Sequence, residues 1–429
     1  MNVTLHGRTR HFRTVAFDSR KNSVQLIEQR ILPHEFKVVE TKTYRDTARA
    51  ITDMIVRGAG AIGATAAYGL AQGARAFRGG DLKKFSKHVD LVYKTLADAR
   101  PTAVDPVNAM NDVLRHLTPG KTVAERQFLA LAAAEEFANE DVRHCEAIGK
   151  QGAKLIRNGM RVLTHCNAGW LAFVDIGTAT APMYAARVQG KKFHVFCDET
   201  RPRSQGASLT AWELAQQQIS HQIIADNAAG HLMQRGEIDL VIVGSDRTLG
   251  RTGEVANKIG TYTKAVLAAR HKIPFYVAIP CSTIDWQLKR GFNIPIEDRH
   301  ESEVLGAWGI ISNPHSTISN RLKLSPSASG GEALLRVGEK VAIGRMRCRA
   351  QTLVMRGDEV DSTSHPRFSI LHPPSAKRAY VRVANPTSGA RNPGFDVTPA
   401  ELITGIITPF GTFKPKDLWK NRIKLGFVK

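Results

Sequence analysis

Long apolar runs are missing from this 429-residue chain. No stretch approaches the roughly 18 residues that cross a bilayer, so no membrane helix is expected. Cysteine is scarce: Cys145, Cys166, Cys197, Cys281 and Cys348 are odd in number and lack pair spacing. That argues against a disulfide framework and fits a reducing cytoplasm. Neither a CxxC nor an HxxxH cluster is present, so no metal site is expected. The GxSxG elbow of acyl-transfer hydrolases is absent too. The basic start, with Arg8, Arg10, Arg13 and Arg20, lacks an apolar core and a cleavage site and reads as mature protein. Acidic residues fall short of basic ones, 39 against 60, a formal charge of +21 that raises the question of nucleic acid. Yet Lys and Arg are spread along the chain, without a zinc finger or a base-stacking motif, which makes nucleic-acid binding the lesser expectation. A field of this sign also steers an anionic small substrate.

The patterns that are present divide the chain near residue 150. Residues 1–45 hold short apolar pieces, Val24 to Ile27 and Phe36 to Val39, that read as strands. Asp46 to Leu117 has helical periodicity, and a further helix covers Val123 to Ile156. Beyond Gly159, four apolar runs each end in polar residues: Arg161–Thr164, Phe193–Phe196, Leu240–Val243 and Phe275–Ile279. Helical segments separate them, which predicts a parallel doubly wound sheet. The fold class expected is therefore α/β: a strand-plus-helix domain over 1–150, then a Rossmann-like domain over 151–429. Ligands in such sheets bind beyond the carboxyl ends of the strands, where Cys166, Asp198, Asp246 and Ser282 fall. A less legible segment, about 306–390, reads as a surface insertion with small apolar runs (333–337, 352–355, 368–371), and a helix is expected at Pro399 to Thr404.

Three stretches carry candidate chemistry. Arg57-Gly58-Ala59-Gly60-Ala61-Ile62-Gly63 matches GxGxxG, but a helix precedes it and no strand-plus-acid follows, so a dinucleotide is not expected. It is either a phosphate cradle of open N–H groups at a helix start or a plain helix–helix turn. Cys166, before Asn167-Ala168-Gly169, is either a small core residue or a thiol whose pKa exposed N–H groups lower. Asp246 either caps a turn or faces a pocket with Cys166. Asn257 and Lys258, expected in the first turns of a helix, are either solvated or hold an anion.

In order along the chain, RGAxAIG (57–63), RPTAV (100–104), THCNAG (164–169), DETRPxxQG (198–206), GSDR–ANKIGTY (244–262), IPIE (294–297) and NPxFDVTP (392–399) together resemble methylthioribose-1-phosphate isomerases. The resemblance covers nearly everything except about 305–388, which it implies is crossed by a shorter connection. It implies a homodimer that converts 5-methylthioribose 1-phosphate into 5-methylthioribulose 1-phosphate in methionine salvage, with neither metal nor redox cofactor. It makes Cys166 and Asp246 the catalytic pair. Substrate contacts fall to Arg57, Gly58, Ala59, Arg100, Gln205, Asn257 and Lys258. Gly60 stands where proline is common, and Trp170 where alanine is common. Related families include ribose-1,5-bisphosphate isomerases and non-catalytic regulatory subunits of a translation-initiation exchange factor. The alternatives are thus a 5-deoxyribose 1-phosphate or ribose 1,5-bisphosphate isomerase, or a sugar-phosphate-sensing subunit. Retention of both Cys166 and Asp246 argues against the last.

Overall fold

A computed structural model describes residues 1–5, 7–100, 104–311 and 377–427. The expected apolar runs at 333–337, 352–355 and 368–371 lie outside the described residues.

The chain opens with two small antiparallel sheets. One pairs β1 (Asn2–Leu5) with β2 (Arg8–His11); the other orders β3 (Val15–Asp18), β4 (Ser23–Ile27) and β5 (Val38–Thr41). Five helices follow: α1 (Tyr44–Thr52), α2 (Ala59–Ala76), α3 (Leu82–Ala97), α4 (Asp105–Leu117) and α5 (Val123–Gly152). Their starts are locally specified. Thr43 caps α1 by accepting from the Asp46 N–H, and Thr122 and Glu125 form a reciprocal capping box on α5. Helix α2 is alanine- and glycine-rich and buried without a break from Gly60 to Ala74, because small side chains let its neighbours approach on all sides. It is the axis of the first core, shared with Phe85, Val92, Met110 and Leu131 of α3, α4 and α5.

The second part is built on a seven-stranded sheet. Its members are β6 (Arg161–Thr164), β7 (His194–Asp198), β8 (His221–Ile224), β9 (Leu240–Val243), β12 (Phe275–Ala278), β17 (Gly405–Thr408) and β18 (Gly411–Phe413). They lie in the order β18-β17-β12-β9-β6-β7-β8, all parallel except β18. The helices α6 (Ala181–Val188), α7 (Ala211–Gln216), α8 (Ala228–Gln234) and α9 (Thr261–Arg270) alternate with these strands. Residues of β9 divide between the two remaining large cores, Leu240 and Ile242 in one, Val241 and Val243 in the other. A strand buried on both faces must be apolar throughout, which is why Leu240–Val243 is an unbroken aliphatic run.

All four expected strands are present, and three members of this sheet, β8, β17 and β18, went unread. β8 carries His221 and Gln222 at the sheet's edge, and β17 is masked by Gly405 and its short length. The helix expected at Pro399 to Thr404 shrinks to one 3₁₀ turn, Ala400–Leu402, because the chain extends at once into β17.

A larger correction concerns Asn257 and Lys258, which lie on a strand rather than in a helix. β11 (Val255–Lys258) folds back antiparallel to β10 (Arg247–Leu249) and is flanked on its other side by β16 (Phe395–Thr398); β13 (Ile284–Asp285) completes this four-stranded sheet beside β10. Gly260 then adopts a left-handed φ of 102° and caps α9. This turn delays the helix by a few residues, and side chains only nominally within its amphipathic pattern become strand side chains. A short helix α10 (Ser302–Leu305) precedes β14 (Gly306–Ile311), which pairs with β15 (Lys377–Arg382).

Candidate active site

Strand order places the site. From β6 the chain winds one way through β7 and β8, and from β9 the other way through β12 and β17, so the winding reverses between β6 and β9. Loops leaving two such strands part from each other, and the gap between them is where open α/β sheets take ligands. Cys166 follows β6 and Asp246 follows β9. Both line one cleft of about 590 Å³, counted to its open mouth, and so do Arg57, Gly58, Ala59, Arg100, Gln205, Asn257 and Lys258. All nine candidate residues are brought together. An adjoining lobe of about 570 Å³ shares Gly58, Ala59, Arg100, Asp246 and Phe395 with it and is otherwise walled largely by Ile62, Val104, Ala256, Ile294, Pro295 and Ile296.

Gly58 shows how closely the two parts of the chain meet here. Its φ is 90°, and a Cβ on it would sit 2.5 Å from Ala172. Only glycine permits that backbone and that approach. The first turn of α2 thereby opens into the cleft, where the Arg57 guanidinium donates to the Asn167 side-chain and backbone oxygens at 2.6 and 2.7 Å. Asn167 in turn donates to Thr210 and to buried Glu213, and Glu213 accepts the N–H groups of Trp170 and Leu171. The cysteine loop is thus tied on both sides. Cys166 itself has a positive φ of 66°, its N–H bonded to Thr200 and its carbonyl accepting from Thr210. A non-glycine residue held there by its surroundings is a mark of a functional site.

The expected fall in the Cys166 pKa is corrected. Burial pushes the thiol up from its ordinary value and outweighs the pull of Arg57, Lys258 and the Asn167 N–H. Burial likewise raises the Asp246 carboxyl, against Lys258, Arg57 and Arg100, and lowers the Lys258 ammonium, against Cys166 and Asp246. Lys258 donates to the Gly394 carbonyl at 2.9 Å and lies over the Phe395 ring, 4.4 Å from its centroid. Arg100 sits 3.6 Å from Glu297, while its Nε and the Gln205 Oε1 are buried with no protein hydrogen-bond partner. Unpaired polar groups of that kind cost about 1–3 kcal/mol each, and a polyhydroxylated anion would satisfy both.

Several residues escaped the sequence reading. Arg299, held by Glu303 at 2.7 and 2.8 Å, and Phe395 line the cleft. Arg299 lies two residues past IPIE, and Phe395 lies within NPxFDVTP, stretches that carried the resemblance without a role for either residue. His165, 1% exposed, bridges the halves of the site: Nδ1 is 2.7 Å from Asp198, and Nε2 donates to the Ile259 carbonyl at 2.9 Å, just past Lys258. Among the described residues, His165, Asp198 and Asp226 are the one group spaced to hold a metal ion. Lys264 already lies 3.3 Å from Asp198 there, so a side-chain ammonium meets that charge. Asp198 therefore belongs to this support beneath the site. Asp105, at the start of α4, faces the apolar lobe.

The model of the Initiation factor 2 subunit family, IF-2B, matches residues 55–415. A methylthioribose-1-phosphate isomerase from Brucella anthropi is 43% identical, with 95% of each chain covered. One from Petrotoga mobilis is 48% identical over 69% of this chain and 85% of its own. The near-complete match to the first shows that this chain's length is shared by some relatives, where the resemblance had led to the expectation of a shorter connection. Among solved structures, 5-methylthioribose 1-phosphate isomerase from Pyrococcus horikoshii superposes with a TM-score of 0.73 at 34% identity, covering 97% of this chain and 96% of that one. A protein described as translation initiation factor eIF-2B, subunit delta, from A. fulgidus gives 0.70 at 33%, covering 97% and 100%. By descent and by fold, this chain belongs to the Initiation factor 2 subunit family, on its methylthioribose-1-phosphate isomerase branch.

Proposed function

We propose that this protein is an aldose–ketose isomerase that converts 5-methylthioribose 1-phosphate to 5-methylthioribulose 1-phosphate, with Asp246 and Cys166 as its catalytic pair. The observation that carries the reading is the convergence of both residues on one cleft whose two lobes differ in character. Arg57, Lys258 and Arg299 give the first lobe the charge a phosphate requires. The aliphatic second lobe suits an apolar 5-substituent such as methylthio, and offers a second phosphate little. That favours methylthioribose or deoxyribose over a bisphosphate.

Phosphate on the anomeric oxygen prevents the ring from opening by loss of a hydroxyl proton. An acid must protonate the ring oxygen instead. Burial favours the protonated form of Asp246 that this step needs. As its proton reaches the ring oxygen, the bond from that oxygen to C1 breaks and C1 becomes electron-deficient. Hydrogen then moves from C2 to C1, the C2 hydroxyl becomes the ketone, and its proton returns to the ionised Asp246. The buried thiol of Cys166 is a poor base while protonated, which favours direct hydride movement with Cys166 against the transition state. The rival step has a Cys166 thiolate carry the hydrogen as a proton through an enolate. Substrate deuterated at C2 separates them: deuterium kept at C1 of the product marks the hydride route, and loss to water marks the shuttle.

A coupled assay of the purified protein with methylthioribose 1-phosphate tests the activity. If no ketose forms while phosphorylated sugar still raises the Tm, the protein is a sensor of the same ligand. The reading includes a cytoplasmic homodimer, checked by light scattering. Among the described residues no helix is long and apolar enough to cross a membrane.

A further inference from the structure

Asp105 is a carboxyl group with no assigned work. It begins α4 on the apolar lobe and is 3% exposed; among the described residues no group meets full hydrogen-bond geometry with either of its oxygens, the Ser282 hydroxyl being the polar neighbour that favours its ionised form. Structures seldom leave both oxygens of a buried carboxyl unpaired, since each unmet group costs free energy that no other contact returns. Here the unpaired group borders a cleft, so a ligand can meet what the protein does not.

Its surroundings narrow the ligand. The charged groups sharing the lobe are Asp246, Arg100 and Arg247, and Asp141 of α5 also feels the charge of Asp105. Arg100 is engaged by Glu297 at 3.6 Å and Arg247 by Asp285 at 3.3 Å. Neither cation is left to neutralise Asp105. Burial pushes the carboxyl up to about 7, against the Ser282 hydroxyl and with Asp246 adding to the rise. A group so placed accepts from a hydroxyl when ionised and donates to one when protonated, and in the ionised form it repels an anion.

We propose that Asp105 hydrogen-bonds a hydroxyl of the sugar in the apolar lobe and, by its charge, keeps a second phosphate out of that lobe. Asp105 is thereby a specificity-determining contact. The proposal rests on the isomerase reading above, and the cationic lobe takes the 1-phosphate in both.

The test compares wild type, Asp105→Asn and Asp105→Ala at about pH 8, above the value of about 7 for this carboxyl. Two quantities are measured: kcat and KM with methylthioribose 1-phosphate, and the calorimetric Kd of ribose 1,5-bisphosphate. Asp105→Ala should raise KM about tenfold, the worth of one hydrogen bond to substrate, while Asn holds it within about threefold of wild type. Asp105→Asn should bind ribose 1,5-bisphosphate about tenfold more tightly than wild type, because one like charge is gone. An unchanged KM in Asp105→Ala would show that the carboxyl does not touch the substrate. An unchanged bisphosphate Kd in Asp105→Asn would show that its charge sets no preference, and that measurement decides even if the alanine variant fails to fold. Inactive wild-type protein would overturn the isomerase reading instead, and the Kd comparison would still judge the charge.

Discussion

The two lobes of the cleft share five lining residues and differ in what their other side chains already hold. In the cationic lobe three cations have protein partners, Arg57 on Asn167, Lys258 on Gly394 and Arg299 on Glu303, while Arg100 Nε and Gln205 Oε1 are left for the ligand. In the apolar lobe most of the wall is aliphatic, and among the described residues no group makes a full hydrogen bond to Asp105. The first is rigid before any ligand arrives, so its interactions cost little reorganisation when a phosphate binds. The second leaves one polar contact to the ligand and reads shape and charge instead. The contrast suggests that affinity comes from one lobe and choice of substrate from the other, with Cys166 and Asp246 where they meet.

The sharpest way to break this division is to remove the chemistry and keep both lobes. Cys166→Ser and Asp246→Asn should each cost about 10²–10⁴-fold or more in kcat while phosphosugar affinity stays within a few-fold. Wild-type-like turnover in either variant removes that residue from the mechanism. Next in size, Lys258→Met and Arg100→Ala should raise KM about ten- to a hundredfold and lower kcat less, since a clamp on the ground state contributes mostly uniform binding. A variant that lowers kcat alone would put that cation into the transition state.

A smaller effect should follow from loosening the tie between the halves. His165→Phe loses the bonds to Asp198 and Ile259 that hold the Cys166 loop against the turn after Lys258. We expect kcat to fall about tenfold with KM nearly constant, and His165→Gln, whose amide can still donate to the Ile259 carbonyl, to recover part of it. Equal rates for Phe and wild type, in folded protein, would leave His165 with a purely structural role.

The smallest effect concerns stability rather than rate. Asp141 accepts the Val174 N–H at 2.8 Å beside the loop that carries Ala172 and Phe173 into the cleft, and burial pushes its carboxyl up to about 8. A carboxyl raised in the folded state holds a proton that the unfolded chain has released. Its contribution is complete below the ordinary value of 3.8 and is lost as pH rises through about 8. Thermal melts should therefore show Tm falling over that window, and Asp141→Asn should flatten the fall. Parallel curves for the two proteins would mean that the folded carboxyl titrates elsewhere.

Much of this molecule was legible before its structure. Doubly buried strands must be continuously aliphatic, and capped amphipathic helices announce their starts, so Leu240–Val243, Arg161–Thr164 and the run from α1 to α5 could be read locally. The residues gathered at the cleft were legible too, because their motifs are dense and their order along the chain is distinctive. Strand order was not, and it alone decides that β6 and β9 are neighbours and that Cys166 and Asp246 face one gap. Nor could periodicity distinguish strand from helix at Asn257 and Lys258, since β11 pairs not only with nearby β10 but also with β16, far away in sequence. The direction of the Cys166 shift was misread for the same reason: exposed N–H groups are a local signal, while desolvation depends on everything that encloses the thiol. Asp105 had no local signal at all. Its unpaired oxygens exist only because α4 packs its first turn against a lobe built from distant residues, and only the assembled chain brings those surfaces together.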